Sequence, residues 1–137
     1  MGTPFAFGLD TFGDIPEDDA GRLVSDAAAI RQVIDEAVLA DELGVDAIAL
    51  GEHHRPEYSF STPETVLAGI ASRTSRIRLG SGVTVLSSDD PVRVFQRFAT
   101  VDAISNGRAE VILGRGSFTE SSPEGFRNAA RSAATSC

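Results

Sequence analysis

Two kinds of segment alternate along the chain: stretches in which apolar residues return every three or four positions, and short runs rich in β-forming residues. Across Asp26–Leu43 apolar residues return every three or four positions, which is the spacing of an amphipathic helix, and Gly44 follows as a natural C-terminal stop. Short β-rich runs lie on either side of this segment. The pattern predicts four strands, at residues 4–10, 45–51, 76–86 and 109–114.

Two further helices are predicted from the residues that begin them. Thr62 can cap one helix with Pro63 at its first position, and Ser61 with Glu64 also fits a capping box. Asp90 can cap the other helix, again with a proline after it. The apolar face of this last helix would be formed by Val94, Phe95, Phe98, Val101 and Ile104.

The resulting order, β-α-β-α-β-α-β, implies an α/β fold with parallel strands and right-handed crossovers. A doubly wound sheet and a TIM barrel begin in the same way. A barrel needs eight strands and about 250 residues, whereas this chain has 137 residues. The pattern therefore predicts parallel (βα) units that form either a small open sheet or half of a barrel.

Composition and charge narrow the classes of partner. The net charge is −8, and such a field repels polyanions, so we expect neither a nucleic-acid surface nor an anionic membrane surface. The apolar runs are far shorter than the ~20 residues of a membrane span. The start of the chain lacks a secretory signal and the single cysteine is Cys137, which together favour the cytoplasm.

The candidate chemistry lies at the predicted ends of the strands. Parallel sheets and barrels bind their ligands at the carboxyl ends of the strands, so the polar residues that follow each strand should meet on one side of the molecule. His53 and His54 are the chain's two histidines. The residues that follow the strands are Asp10 and Thr11, then Glu52, His53 and His54, then 87–90, and finally 115–117.

Three interpretations of Glu52, His53 and His54 are open from the residues alone. They can form an ordinary solvated loop. They can contribute to a metal site, although the chain has no further histidine to complete one. They can supply an acid/base group, because a histidine beside a carboxylate titrates near neutral pH.

Two glycine-containing stretches suggest close approach of a ligand. Gly80 and Gly82 interrupt the third strand, which indicates a bulge or a backbone that something else touches. Residues 114–117, "GRGS", offer backbone amides and an arginine, which suit a phosphate.

Taken in order, these pieces resemble the bacterial luciferase-like flavin monooxygenase family. The resemblance is carried by "GEHH", "ASRTSRIRLGSGVTVL", "DPVR", "D-x-x-S-N-G-R" and "GRG", at the family's spacing. It implies a TIM barrel of which this chain supplies the N-terminal half, four strands, and so looks truncated. Residues 1–118 would form that half-barrel, and residues 119–137 an atypical, disordered tail.

The resemblance also implies an activity. Family members use reduced FMN, supplied by a separate flavin reductase, together with dioxygen to oxidise a small organic substrate. A branch of the same superfamily uses a deazaflavin coenzyme for hydride transfer instead.

Site residues carry over from the family position by position. His53 would be the acid/base and hydrogen-bonding group of the flavin chemistry, and Glu52 would lie beside it as a second catalytic residue. Gly82 and Val83 fall where the family often has a cis peptide that supports the flavin ring. Arg115, followed by Gly116, would lie close to the flavin phosphate.

Two alternatives remain beside the monooxygenase. The first is a catalytically inactive half-barrel that acts as a binding module. Its uncovered face, expected to be rich in Val, Ile and Ala, would make it a homo-oligomer. The second is a flavodoxin-like open sheet that holds FMN at the loop after the first strand.

Overall fold

A computed structural model describes residues 5–116, in which four strands alternate with three helices. The strands are β1 (Gly8–Thr11), β2 (Ala47–Leu50), β3 (Arg78–Val85) and β4 (Ala109–Gly114). The helices are α1 (Asp26–Leu43), α2 (Pro63–Ala71) and α3 (Pro91–Ser105). Neighbouring strands are all parallel, and they lie in the order β1-β2-β3-β4.

The strand order decides between the two architectures that the sequence left open. The predicted parallel (βα) units are confirmed. A doubly wound sheet reverses direction at a switch point, so that the first strand lies inside the sheet. Here each strand is added to the same side of the previous one, which is the order of a barrel wall. The flavodoxin-like alternative is therefore wrong.

Two of the three helices begin with the capping chemistry expected of a helix N-terminus. The Ser25 hydroxyl accepts a hydrogen bond from the Ala28 amide, and the Asp90 carboxylate accepts from the Val92 and Arg93 amides at 2.9 and 3.0 Å. The predicted cap at Asp90 is confirmed.

Pro63 begins α2 as predicted, but the predicted side-chain cap by Thr62 is wrong. Thr62 precedes the helix, but its side chain makes no capping hydrogen bond. Glu64 is buried beside α3, where its carboxylate forms an ion pair with Arg97 at 2.6 Å. A partner on the neighbouring helix has replaced the local contact that the motif predicted.

Strand β1 is shifted relative to its prediction. Residues 4–10 were expected, whereas the strand pairs with β2 from Gly8 to Thr11. Phe5 is 88% exposed, and Pro4 lies outside the described residues. The length of β1 is limited by its pairing partner, because β2 itself has only four residues.

The hydrophobic core lies between the sheet and the three helices. Ile48 and Leu79 are register partners on β2 and β3, and both are buried against the helical layer. The helices contribute apolar side chains that repeat at helical spacing: Val33, Ala37 and Ala40 from α1, Val66, Leu67 and Ile70 from α2, and Val94, Phe98 and Val101 from α3.

The opposite face of the sheet is made largely of small residues. Successive side chains on a strand point to opposite faces, so the positions between the buried ones face away from the helices. The expectation of a face rich in Val, Ile and Ala is therefore wrong in part, because glycine and charged residues share it with alanine. These positions are Gly8, Asp10, Ala47, Ala49, Arg78, Gly80, Gly82, Glu110 and Ile112.

Arg108 fastens the end of the molecule at which β3 and β4 begin. Its half-buried guanidinium donates to the carbonyls of Ala71, Ile77 and Ser105 at 3.1, 2.7 and 2.8 Å, and it also bonds the carbonyl and hydroxyl of Thr74. One side chain thus joins the last turns of α2 and α3 to the start of β3.

Asp41, near the end of α1, also holds the turn before β3. Its buried carboxylate accepts hydrogen bonds from the amides of Ser75, Arg76 and Ile77 at 3.1, 2.9 and 2.7 Å. Burial alone would raise the pKa of Asp41, but these three hydrogen bonds and the Arg76 charge outweigh it and lower the pKa below its ordinary 3.8.

Candidate functional site

A cleft of about 220 Å³ opens at the carboxyl ends of β2 and β3, next to the segment that follows β4. This is where parallel strands place their ligands. Five of the six predicted site residues line it. Its lining consists of Phe12, Glu52, His53, His54, Gly82, Val83, Val85 and Gly116.

The wall contributed by β3 is irregular. The peptide bond between Gly82 and Val83 is cis, as the resemblance implied, and the register with β4 shifts between Gly82 and Thr84. The Val83 side chain lies against Gly114, where an added Cβ would come within 2.5 Å of its Cγ2. The predicted bulge in the third strand is therefore present, and a glycine on β4 makes room for it.

His53 lies between two aromatic rings. Its imidazole stacks on Tyr58 with ring centroids 4.2 Å apart, and it meets the Phe12 ring edge-on at 4.9 Å. The ring is half-buried and lines the cleft. His53 and the Gly82–Val83 peptide therefore line the same cleft.

Glu52 is buried and holds the ends of two strands together. One carboxylate oxygen accepts from the Val85 amide at 2.8 Å, and the other contacts His54 Nε2 at 2.7 Å and the Ser88 hydroxyl at 3.3 Å. The carboxylate and the histidine ring therefore pair as Glu52 with His54, two positions apart, on the wall of the cleft.

Arg115 and Gly116 follow β4 at the mouth of the cleft. Gly116 has φ +77°, a conformation that favours glycine, and it contributes to the lining. The Arg115 carbonyl accepts from the Ser87 hydroxyl at 2.6 Å, which ties this segment to the loop after β3. The Arg115 side chain is exposed and lies outside the lining.

Within residues 5–116, no three His, Cys, Asp or Glu side chains are grouped so that they could share a metal ion. Over the same range, no helix is both long and apolar enough to cross a bilayer.

Sequence reasoning missed Phe12, Tyr58 and Val85. Tyr58 is the chain's one tyrosine, and Phe12 follows the first strand, so both carried a weak signal as aromatic residues near strand ends. The contacts that make them part of the site join residues 5 to 41 positions apart, which periodicity does not report.

Comparisons with known proteins agree with this geometry. The sequence model of the family described as "Luciferase-like monooxygenase" matches residues 12–134. The oxygenase component of a flavin-dependent trigonelline monooxygenase from Acinetobacter baylyi is 34% identical over 101 residues, which are 70% of this chain and 28% of that protein.

Two solved structures share the fold. The oxygenating constituent of 3,6-diketocamphane monooxygenase from Pseudomonas putida, solved in complex with FMN, matches with a TM-score of 0.76 and 21% identity over 96% of this chain and 38% of its own. The coenzyme F420-dependent tetrahydromethanopterin reductase of Methanopyrus kandleri gives a TM-score of 0.58 and 23% identity over 82% of this chain and 27% of its own.

The chain therefore spans between 27% and 38% of the length of these proteins. The four strands and three helices of residues 5–116 correspond to one part of a larger barrel, and the predicted half-barrel is confirmed. Because the family match covers most of the sequence, the chain belongs to the luciferase-like monooxygenase family.

Proposed function

We propose that this chain forms the flavin-facing part of a flavin-dependent monooxygenase, which uses reduced FMN and dioxygen to oxidise a small organic substrate. The observation that carries the proposal is the cleft that His53 and the Gly82–Val83 bulge of β3 line together. The similarity to an oxygenase component supports it and favours a separate flavin reductase as partner.

The residues around the bulge fit a planar ring. A Cβ added at Gly82 would make van der Waals contact, at 3.4 Å, with Ala49 Cβ and Asp10 Oδ1, so the glycine leaves this surface flatter than a larger residue would. Val83 and Val85 supply apolar contact on the adjoining wall. Bound reduced FMN would supply the electrons that activate dioxygen.

His53 is the group that we assign to proton transfer. It is half-buried at the cleft wall, and an imidazole can both accept and donate a proton. Glu52 would support the site indirectly, because its carboxylate contacts lead to His54 and to the backbone of Val85. His54 would then serve as a structural residue.

Arg115 is the group that we assign to the flavin phosphate. Its side chain is exposed and adjoins Gly116 of the cleft lining in sequence, and a guanidinium binds a phosphate through paired, charge-assisted hydrogen bonds. Further phosphate contacts would come from the part of the relatives that this chain does not span.

The test begins with flavin binding to the full chain, measured by fluorescence under anaerobic conditions for reduced FMN, riboflavin and a deazaflavin coenzyme. Arg115→Ala should weaken FMN about tenfold or more and leave riboflavin unchanged, because only FMN carries the phosphate. Arg93→Ala, an exposed arginine on α3, is the matched control. Tight binding of the deazaflavin alone would redirect the proposal to hydride transfer.

Turnover is measured next, as dioxygen consumption in the presence of a reductase and candidate substrates. His53→Ala should lower it by ~10²-fold or more if the imidazole transfers a proton. An unchanged rate would remove His53 from the chemistry. FMN binding without any turnover would support the inactive binding module, and no flavin binding at high micromolar concentration would sink the proposal.

A further inference from the structure

We propose that Phe12 and Tyr58 are positioning residues that fix the orientation of the His53 ring in the cleft, an inference that rests on the proposed function. Tyr58 covers a face of the imidazole at 4.2 Å with an interplanar angle of 23°. Phe12 meets the same ring from another direction, at 4.9 Å and 75°. Stacked and edge-on contacts of this kind are the preferred geometries of aromatic pairs.

The two aromatic residues come from separate loops that the backbone fastens together. Asp14 and Tyr58 form an isolated antiparallel bridge between the loop after β1 and the loop after β2. The Gly13 carbonyl accepts from both the amide and the hydroxyl of Ser59, at 2.7 and 2.9 Å. On the other side of Tyr58, the Glu57 carbonyl accepts from the Ile15 amide at 3.3 Å, so the backbone is bonded on both sides of the tyrosine.

Phe12 is held from the side of β2. An added Cβ at Gly51 would lie 2.5 Å from Phe12 Cδ1, so the ring lies directly over this glycine. The Gly51 amide also donates to the Thr11 carbonyl at 2.9 Å, which continues the β1–β2 pairing up to the ring. The position of Phe12 is thus set by the strand ends themselves.

A ring contacted on its face and from a second direction loses the freedom to rotate about its Cβ–Cγ bond. For an acid/base group this matters, because proton transfer requires a nitrogen at hydrogen-bond distance and a misplacement of about 1 Å can cost 10²-fold in rate. Neither Phe12 nor Tyr58 needs to touch the reacting atoms to have this effect. Each acts through His53.

The experiment uses histidine-labelled full-length chain and needs no flavin. Because the chain has two histidines, the imidazole proton signals can be assigned with His53→Gln alone. Tyr58→Leu should move the His53 signals downfield, because the shielding ring above the imidazole is lost, and it should leave the His54 signals in place. Tyr58→Phe keeps the ring and should restore the wild-type positions.

Phe12→Leu provides a second variant in case Tyr58→Leu does not fold, and Phe95→Leu is its control, since Phe95 is an exposed phenylalanine on α3. Phe12→Leu should also move the His53 signals, and Phe95→Leu should not. In turnover, Tyr58→Leu should lower kcat about tenfold with little change in KM for the flavin, and Tyr58→Phe should restore it.

Two results would overturn the inference. One is a His53 signal that stays in place in both Tyr58→Leu and Phe12→Leu. The other is a Tyr58→Phe variant as impaired as Tyr58→Leu, which would assign the effect to the hydroxyl. Because the resonance shifts are read without cofactor, they stand even where turnover is absent, so failure of the inference is separable from failure of the proposed function.

Discussion

Removing the Glu52 carboxylate should destabilise the sheet at the carboxyl ends of β2 and β3, and not only the cleft. The side chain is 7% exposed, and its two oxygens accept from one backbone amide, one imidazole and one hydroxyl. In Glu52→Ala the Val85 amide, which belongs to a buried strand residue, loses its partner. Glu52→Gln keeps the shape, and its amide oxygen can still accept from the Val85 amide, whereas its nitrogen, a donor, would face His54 Nε2 in place of an acceptor.

The magnitude follows from these contacts. A buried donor left unpaired costs about 1–3 kcal/mol, and hydrogen bonds to a charged group contribute about 1.5–3 kcal/mol against 0.5–1.5 for neutral ones. We therefore expect Glu52→Ala to lower the free energy of unfolding by about 4 kcal/mol. Glu52→Gln should lower it by about 2 kcal/mol, because the bond from Val85 persists without charge assistance while the contact with His54 is weakened.

The assay is urea denaturation followed by circular dichroism at pH 7, with the midpoint and the slope both fitted. Glu57→Gln is the matched control, because Glu57 belongs to the same loop but its carboxylate pairs with Arg55 at the exposed surface. Its denaturation midpoint should not move. A Glu52→Ala variant within about 1 kcal/mol of wild type would refute the reasoning, as would equal losses for Ala and Gln.

Further expectations concern Asp41, Gly114 and the exposed sheet. Because hydrogen bonding holds the pKa of Asp41 below its ordinary 3.8, its stabilisation is complete above that pH and is lost as the pH falls through the lower folded value. In acid titrations followed by circular dichroism, Asp41→Asn should be less stable than wild type at pH 7 by about 2 kcal/mol. It should lose less of its unfolding free energy than wild type as the pH falls. Asp35→Asn, at an exposed site, should behave as wild type. Gly114→Ala should cost about 1–3 kcal/mol in urea denaturation, because its Cβ would overlap Val83, while Gly8→Ala, with 3.6 Å to its nearest neighbour, should cost less; equal losses would exclude overlap as the cause. Sedimentation should show a homo-oligomer, and a clean monomer would contradict this; the exposed apolar residues of β4 are Val111, Ile112 and Leu113.

The features that the sequence predicted well are those encoded by neighbours along the chain. Strand β4 has the predicted bounds, α1 occupies the predicted segment, and Asp90 caps α3. In each case, the residues that carry the signal lie within about one helical turn or one strand of the element that they predict. Local periodicity and capping chemistry are sufficient there.

The features that were missed or wrong depend on distant partners. Glu64 pairs with Arg97 and not with its own helix start, and Asp41 binds amides 34 to 36 positions away. The His53 ring contacts Phe12 from 41 positions away. Such contacts depend on strand register and helix packing, so a single sequence does not disclose them before the fold is known.

The Arg108 guanidinium and the cleft lie at opposite ends of the four-stranded sheet. Every loop that lines the cleft leaves a strand at its carboxyl end, while Arg108 binds carbonyls near the amino ends of β3 and β4. Substitutions at two ends that share no partner are expected to have additive effects on stability. Residues of the cleft lining can therefore be exchanged without weakening the Arg108 contacts that join α2 and α3 to the sheet, so a protein engineer can vary the two ends separately.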